Sequence, residues 1–208
     1  MYDLYVITDE NLSNGLSHSE LTKLACEGGA DVIQLRDKSM GKEEMMKAAK
    51  EMRRITSLHN VLFFVNDHFD VAVASEADGI HLGQSDMKVA DAVKQKGNML
   101  VGISVGSLEE AIAAEMGGAD YIGFGPVFDT GSKHDAGKAV GLEVLKKIRD
   151  SVNIPIVAIG GVTKDNTKEI ITSGADGIAV ISAVVSQKDV RKATEELKKI
   201  VSSAKIRV

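Results

Sequence analysis

Ala77-Asp78-Gly79-Ile80 is one of four copies of a single phrase, the others being Ala30-Asp31-Val32-Ile33, Ala119-Asp120-Tyr121-Ile122 and Ala175-Asp176-Gly177-Ile178. The aspartates stand 47, 42 and 56 residues apart. A recurring period of this length marks repeated supersecondary units. Each phrase opens a short β-prone run, and each gap has room for a helix, another strand and another helix. The intervening strands are readable as Val61-Leu62-Phe63-Phe64-Val65, Leu100-Val101-Gly102-Ile103-Ser104 and Ile154-Pro155-Ile156-Val157-Ala158-Ile159. Leu4-Tyr5-Val6-Ile7-Thr8 supplies the first. All are near-continuous apolar runs, the pattern of parallel strands covered on both faces.

Between the strands lie helices. Ser107-Leu108-Glu109-Glu110 is a Ser-x-x-Glu pattern suited to cap the run Ala111 to Met116, which closes at Gly117-Gly118. Lys42 to Arg54 and Val190 to Val201 are amphipathic and helix-favouring. Eight strands alternating with about eight helices, at roughly 26 residues per unit, predict a single α/β domain over 1–208, a (β/α)8 or TIM barrel. A doubly wound open sheet gives the same alternation, but it carries a glycine-rich turn after its first strand. Here that strand ends Ile7-Thr8-Asp9-Glu10, and the repeat runs on to the C-terminus. The barrel is preferred.

Composition narrows the partners. The chain has 208 residues, 44% hydrophobic and 26% charged, as in a packed globular protein. A net charge of −5 argues against a basic nucleic-acid surface. The single cysteine, Cys26, excludes an intrachain disulfide framework and suits a reducing compartment. No apolar run approaches a membrane span, and Met1-Tyr2-Asp3 leads into a strand rather than an export signal. A cytoplasmic location is expected.

In such a barrel, chemistry gathers where strands end and stability resides at the opposite face. Asp31, Asp78, Asp120 and Asp176 open their strands and are therefore read as structural. At the strand ends stand Gln34 to Lys38, Asn66-Asp67, His81 to Asp86, Ser104, Gly123 to Pro126, Gly160-Gly161 and Ile181-Ser182. Arg36 and Lys38 are two residues apart, so on extended chain they face the same side and favour a phosphorylated or diphosphorylated ligand. Asn66, Asp67 and Asp86 offer hard oxygen ligands suited to Mg²⁺, which binds through one or two carboxylates plus substrate phosphates. Helix capping is the plainer reading of each aspartate taken alone.

Gly160-Gly161 and Ile181-Ser182, after strands seven and eight, form the expected phosphate pocket. The longest loop, Gly125 to about Val140, contains Asp129-Thr130-Gly131-Ser132-Lys133-His134-Asp135. It reads either as a lid with oxyanion-binding hydroxyls and a lysine, or as a surface excursion. His81 lies within a strand and is expected to fill the interior, while His18, His59, His68 and Cys26 are expected away from the mouth. No Ser-His-Asp ordering or zinc-type spacing stands out.

In this order and spacing, the motifs resemble the family of thiamine phosphate synthase and its relative, the thiazole tautomerase. They are Tyr5-Val6-Ile7-Thr8-Asp9, Gln34-Leu35-Arg36-Asp37-Lys38, Val65-Asn66-Asp67, the stretch from Ala77 to Asp86, Gly102-Ile103-Ser104, and the stretches 123–128, 158–162 and 179–183. The resemblance implies a transferase that joins a hydroxymethylpyrimidine diphosphate to a thiazole phosphate, releasing diphosphate and forming thiamine phosphate. It implies that Gln34, Leu35, Arg36, Asp37, Lys38, Asn66, Ser104 and Lys133 meet the pyrimidine diphosphate, with Arg36, Lys38, Ser104 and Lys133 catalytic. Mg²⁺ would be held by Asp67 and Asp86. The thiazole phosphate would meet Thr130, Gly131, Ser132, Gly161, Ile181 and Ser182.

The partners so implied are small molecules, with neither nucleic acid nor membrane, in a possible homo-oligomer. Two departures are visible. Asp129 stands where synthases usually carry a proline, and Gly106 stands where the tautomerase uses a histidine after strand five. The second favours the synthase over a tautomerase, and a non-catalytic phosphate binder on the same fold is the third reading.

Overall fold

A computed structural model describes residues 2–132 and 137–206. Eight parallel strands close in chain order into a barrel, β1 pairing with β8 through Leu4↔Ile178, Tyr5↔Ala179 and Val6↔Val180. The strands are β1 (Leu4–Thr8), β2 (Val32–Leu35), β3 (Leu62–Asn66), β4 (Gly79–Leu82), β5 (Leu100–Val105), β6 (Tyr121–Phe124), β7 (Ile156–Ile159) and β8 (Gly177–Val180). Between them run α1 (His18–Glu27), α2 (Lys42–His59), α3 (Phe69–Ala74), α4 (Val89–Gln95), α5 (Leu108–Met116), α6 (Leu142–Arg149) and α7 (Lys164–Thr172). A short α8 (Ser182–Val185) and the long α9 (Val190–Lys205) follow β8. No helix among the described residues is long and apolar enough to cross a membrane.

Local chemistry sets the boundaries. β7 begins at Ile156 rather than Ile154 because Pro155 has no N–H to give the ladder, and the Ile156 N–H is taken by Asp176 Oδ2 at 2.8 Å. The helix predicted to Arg54 runs on to His59 and stops where Asn60 turns left-handed, at φ 56°. Ser107 caps α5 by accepting the Glu110 N–H, and Glu110 reaches back to the N–H of Gly106, one residue beyond a standard capping box.

The repeated aspartates perform one task four times. Asp31, Asp78, Asp120 and Asp176 accept the N–H of Leu4, Phe63, Val101 and Ile156 at 2.8–2.9 Å, so each closes the start of the preceding odd-numbered strand. Each aspartate N–H returns a bond to the carbonyl of that same residue. The remaining carboxylate capacity takes a cation, Lys198, Arg53, Lys96 and Arg149 respectively, at 2.5–2.8 Å. Those pairs lie at the strand starts, which leaves the strand ends to chemistry.

The barrel interior is filled by large groups opposite small ones. Tyr5, Phe64, Tyr121 and His81 pack ring on ring with centroids 5.6–6.0 Å apart. Gly79 and Gly102 make space for the Phe64 and Tyr121 rings, whose atoms a Cβ at either position would overlap.

Candidate active site

At the strand ends lies a cavity of about 370 Å³. Arg36, Lys38, Asn66, Asp67, Asp86, Ser104, Thr130, Ser132, Gly161, Ile181 and Ser182 all line it. Residues predicted from seven separate strand ends thus share one space.

On the β2 side, Arg36 is only 8% exposed, and its guanidinium stands 3.6 Å from Asp9 at the end of β1. Asp37, between the two cations, does not line the cavity. Its Oδ1 accepts the N–H and hydroxyl of Ser39 and the N–H of Met40 at 2.7–2.9 Å, and its Oδ2 faces His18 Nε2 at 3.2 Å. Burial alone would raise this carboxyl, but the donors from Ser39, His18 and Met40 outweigh it and hold its pKa below the usual value. His18, expected away from the mouth, is therefore a correction: as the first residue of α1 it reaches across to the β2 strand end.

Asp67 and Asp86 come together from the ends of β3 and β4. Neither is a helix cap, since His68 and Lys88 hold those positions for α3 and α4. Asp67 takes a left-handed φ of 61°, and its N–H bonds the His81 carbonyl at 2.9 Å. Burial, then a hydrogen bond and repulsion from Asp86, push its pKa up to about 6 against the pull of Lys38 and Arg36. Two carboxyls this close, beside Arg36 and Lys38, suit a hard divalent ion that completes its shell with phosphate oxygens. Among the described residues no group of three or more His, Cys, Asp or Glu side chains gathers for a metal, here or elsewhere, so this site offers a pair of carboxyls.

Ser104 stands at the cavity floor, where its Oγ lies 2.9 Å from His81 Nε2. A column of contacts continues below it. His81 Nδ1 meets Tyr121 Oη at 2.8 Å, Tyr121 meets Tyr5 Oη at 3.0 Å, and Gln34 Nε2 donates to Tyr5 Oη at 2.8 Å. His81 fills the interior, as expected, and also orients the serine. Gln34 lies in this lower layer beside a small cavity of about 20 Å³, and Leu35 is buried.

The opposite rim combines glycine backbone with paired hydroxyls. Gly160 and Gly161 adopt φ 95° and 63°, and a Cβ on Gly161 would come within 2.6 Å of Phe128 Cβ and 2.7 Å of the Asp129 carbonyl. Ser132 Oγ lies 2.8 Å from Ser182 Oγ, the first residue of α8. The loop after β6 is stitched down at its base. Val127 and Phe128 donate to Ile159 and Gly160, while Val140 and Gly141 donate to Pro126 and Val127. Thr130, Ser132 and Gly137 turn into the cavity, whereas Gly131 and Asp129 are exposed and do not line it. Lys133 lies outside the described residues.

Gln84 and Ser85 line the cavity without having been singled out from the sequence, and Gln84 Nε2 donates to the Ser104 carbonyl at 2.7 Å. Their signal was position alone, in the polar run after β4. At Gly106 a Cβ would meet nothing nearer than 3.7 Å, and this chain carries no imidazole there. The lone Cys26 is buried, and its thiol is pushed up to about 12 by burial and then by Glu27, which disfavours the thiolate.

Comparison with known proteins agrees with this geometry. A family model for thiamine monophosphate synthase matches residues 4–184. Thiamine-phosphate synthase of Methanocella arvoryzae is 55% identical over 207 residues, covering 99% of this chain and 97% of that protein. The Pyrococcus furiosus thiamine-phosphate synthase is 52% identical over 198 residues, covering 95% of this chain and 94% of that one. A solved structure of thiamine phosphate pyrophosphorylase from Pyrococcus furiosus superposes with a TM-score of 0.91 at 50% identity, covering 98% of this chain and 96% of that one. A 3-hexulose-6-phosphate synthase, 19% identical with a TM-score of 0.68, shares the fold over 95% of this chain and 99% of its own.

Proposed function

The chain belongs to the thiamine monophosphate synthase family, and on that premise we propose that it condenses a hydroxymethylpyrimidine diphosphate with a thiazole phosphate to give thiamine phosphate and diphosphate. The observation that carries this reading is the convergence of two cations, two carboxyls and a glycine-hydroxyl phosphate pocket on one cavity.

The bond that breaks joins the pyrimidine methylene carbon to diphosphate oxygen, and its electron pair leaves with the diphosphate. Arg36 and Lys38 receive that charge, held in place before it develops. Lys133 is assigned to the same anion by its place in the sequence. The electron-rich aminopyrimidine bears the cationic methylene carbon, and the thiazole nitrogen lone pair attacks it. The positive charge ends on the thiazolium ring, so no proton is transferred and no protein nucleophile is required. Ser104, fixed by His81 and by Gln84 at its own carbonyl, holds the pyrimidine at the cavity floor, with Gln34 supporting the layer below through Tyr5. The phosphate of the second substrate sits on Gly161, Ile181 and Ser182, closed by Thr130 and Ser132. Asp67 and Asp86, with Asn66 beside them, would hold Mg²⁺, which when bound neutralises diphosphate oxygens.

The reading is tested by following diphosphate release with both substrates, with Mg²⁺ and then with a chelator. Release that needs both substrates and stops on chelation is expected. No release in the presence of Mg²⁺ and both substrates would overturn the assignment.

A further inference from the structure

His18 is the first residue of α1, and its side chain is 1% exposed. Both ring nitrogens are engaged. Nδ1 lies 2.7 Å from Thr8 Oγ1, and the Thr8 hydroxyl bonds the carbonyl of Gln34 at 3.2 Å. Nε2 lies 3.2 Å from Asp37 Oδ2, on a carboxylate whose side chain is itself only 6% exposed. The ring therefore ties the end of β1 to Gln34 and Asp37 within the segment Gln34 to Lys38. The His18 N–H is fixed in turn by Glu10 Oε1 at 2.7 Å.

Side chains on extended chain alternate in direction. While Asp37 points outward to His18, Arg36 and Lys38 point into the cavity. We propose that His18 is a positioning residue for the diphosphate site, holding Asp37 on the outer side of the β2 strand end so that both neighbouring cations face substrate. Two consequences follow from the same contact. The backbone of the clamp is fixed, and a carboxylate lying between two cations in sequence is withheld from them. Freed from the imidazole, Asp37 Oδ2 loses that partner while standing between Arg36 and Lys38 in the chain, and its charge would partly offset the one they offer to diphosphate. The Ser39 and Met40 donors at Oδ1 oppose any larger swing of the carboxylate, so His18 shares with them the task of holding Asp37 in place. The inference rests on the reading of Arg36 and Lys38 as the diphosphate site.

The test is steady-state kinetics on the full-length enzyme with His18→Gln and His18→Asn. A glutamine amide places its nitrogen where Nε2 stands and keeps the bond to Asp37, whereas an asparagine amide reaches only the Nδ1 position. His18→Asn is expected to raise the KM for the pyrimidine diphosphate by about tenfold, with the KM for the thiazole phosphate within about twofold of wild type. His18→Gln is expected to stay near wild type. The double variant His18→Asn with Asp37→Asn recovers part of the loss, because the released group is then neutral. Equal behaviour of the Gln and Asn variants, parallel changes in both KM values, or no recovery in the double variant would each overturn the inference. Arg36→Ala separates it from its premise. If that variant leaves the pyrimidine diphosphate KM unchanged, the diphosphate site is misassigned; if it raises that KM and His18→Asn does not, the positioning role alone fails.

Discussion

The carboxyls of Asp67 and Asp86 face one another at the mouth, and their pairing has a measurable signature. Asp67 keeps its proton to about pH 6 in the fold, while an unfolded aspartate releases it near pH 4. Folding therefore favours the protonated form. That contribution to stability is present below about pH 4 and is lost as the pH rises through 6. Mg²⁺ needs the deprotonated pair, so the rise in Tm that it produces should be near zero at pH 5 and about 2–4 °C at pH 8. Asp67→Asn should raise the metal-free Tm at pH 8 and abolish the Mg²⁺ increment; differential scanning fluorimetry at the two pH values measures both. Across the mouth, Arg36→Ala removes a preorganised cation from the departing diphosphate and should lower kcat/KM by about 10²–10³-fold. The same initial-rate assay that follows diphosphate release reads this loss.

At the scale of the element, an Ala-Asp-x-Ile phrase is legible as a strand opening because its aspartate has a backbone task that local sequence can state. Asp78 bonds the Phe63 N–H at 2.8 Å and Arg53 at 2.8 Å, and three more aspartates do the same for their own strands. Asp78→Ala leaves the Phe63 N–H and the guanidinium without their acceptor and should cost about 1–3 kcal/mol in urea unfolding. Both KM values should be unchanged, since the contact lies at the opposite face from the cavity. Strand order and the gathering of Arg36, Lys38, Asp67, Asp86 and Ser182 at one cavity were readable for the same reason: residue type and position after a strand decide them. What the sequence did not carry were contacts between distant helices and strand ends. Nothing near His18 names Asp37 as its partner, and Gln84 bonds Ser104 across twenty residues. Helix ends were displaced wherever a cap used a neighbour, as at Asn60.

Whole-molecule closure couples stability to chemistry through the barrel interior. Tyr121 is wholly buried, gripped by Tyr5 at 3.0 Å and His81 at 2.8 Å and packed on Tyr2 at a ring centroid distance of 4.8 Å. It fits because Gly102, its neighbour across β5 and β6, has no side chain. The same column ends at Ser104 in the mouth, so crowding at its base has to be relieved by moving groups that orient the serine. Gly102→Ala inserts a methyl into the space of the ring and should destabilise the fold by about 1–3 kcal/mol through overpacking. Unlike Asp78→Ala, it should also lower kcat, because the tyrosine can yield only by shifting His81 and with it the Ser104 hydroxyl. Paired urea unfolding and turnover measurements on the two variants separate the cases. A Gly102→Ala enzyme that lost stability yet kept its full kcat would show that the interior column supports the barrel without setting the geometry of its mouth.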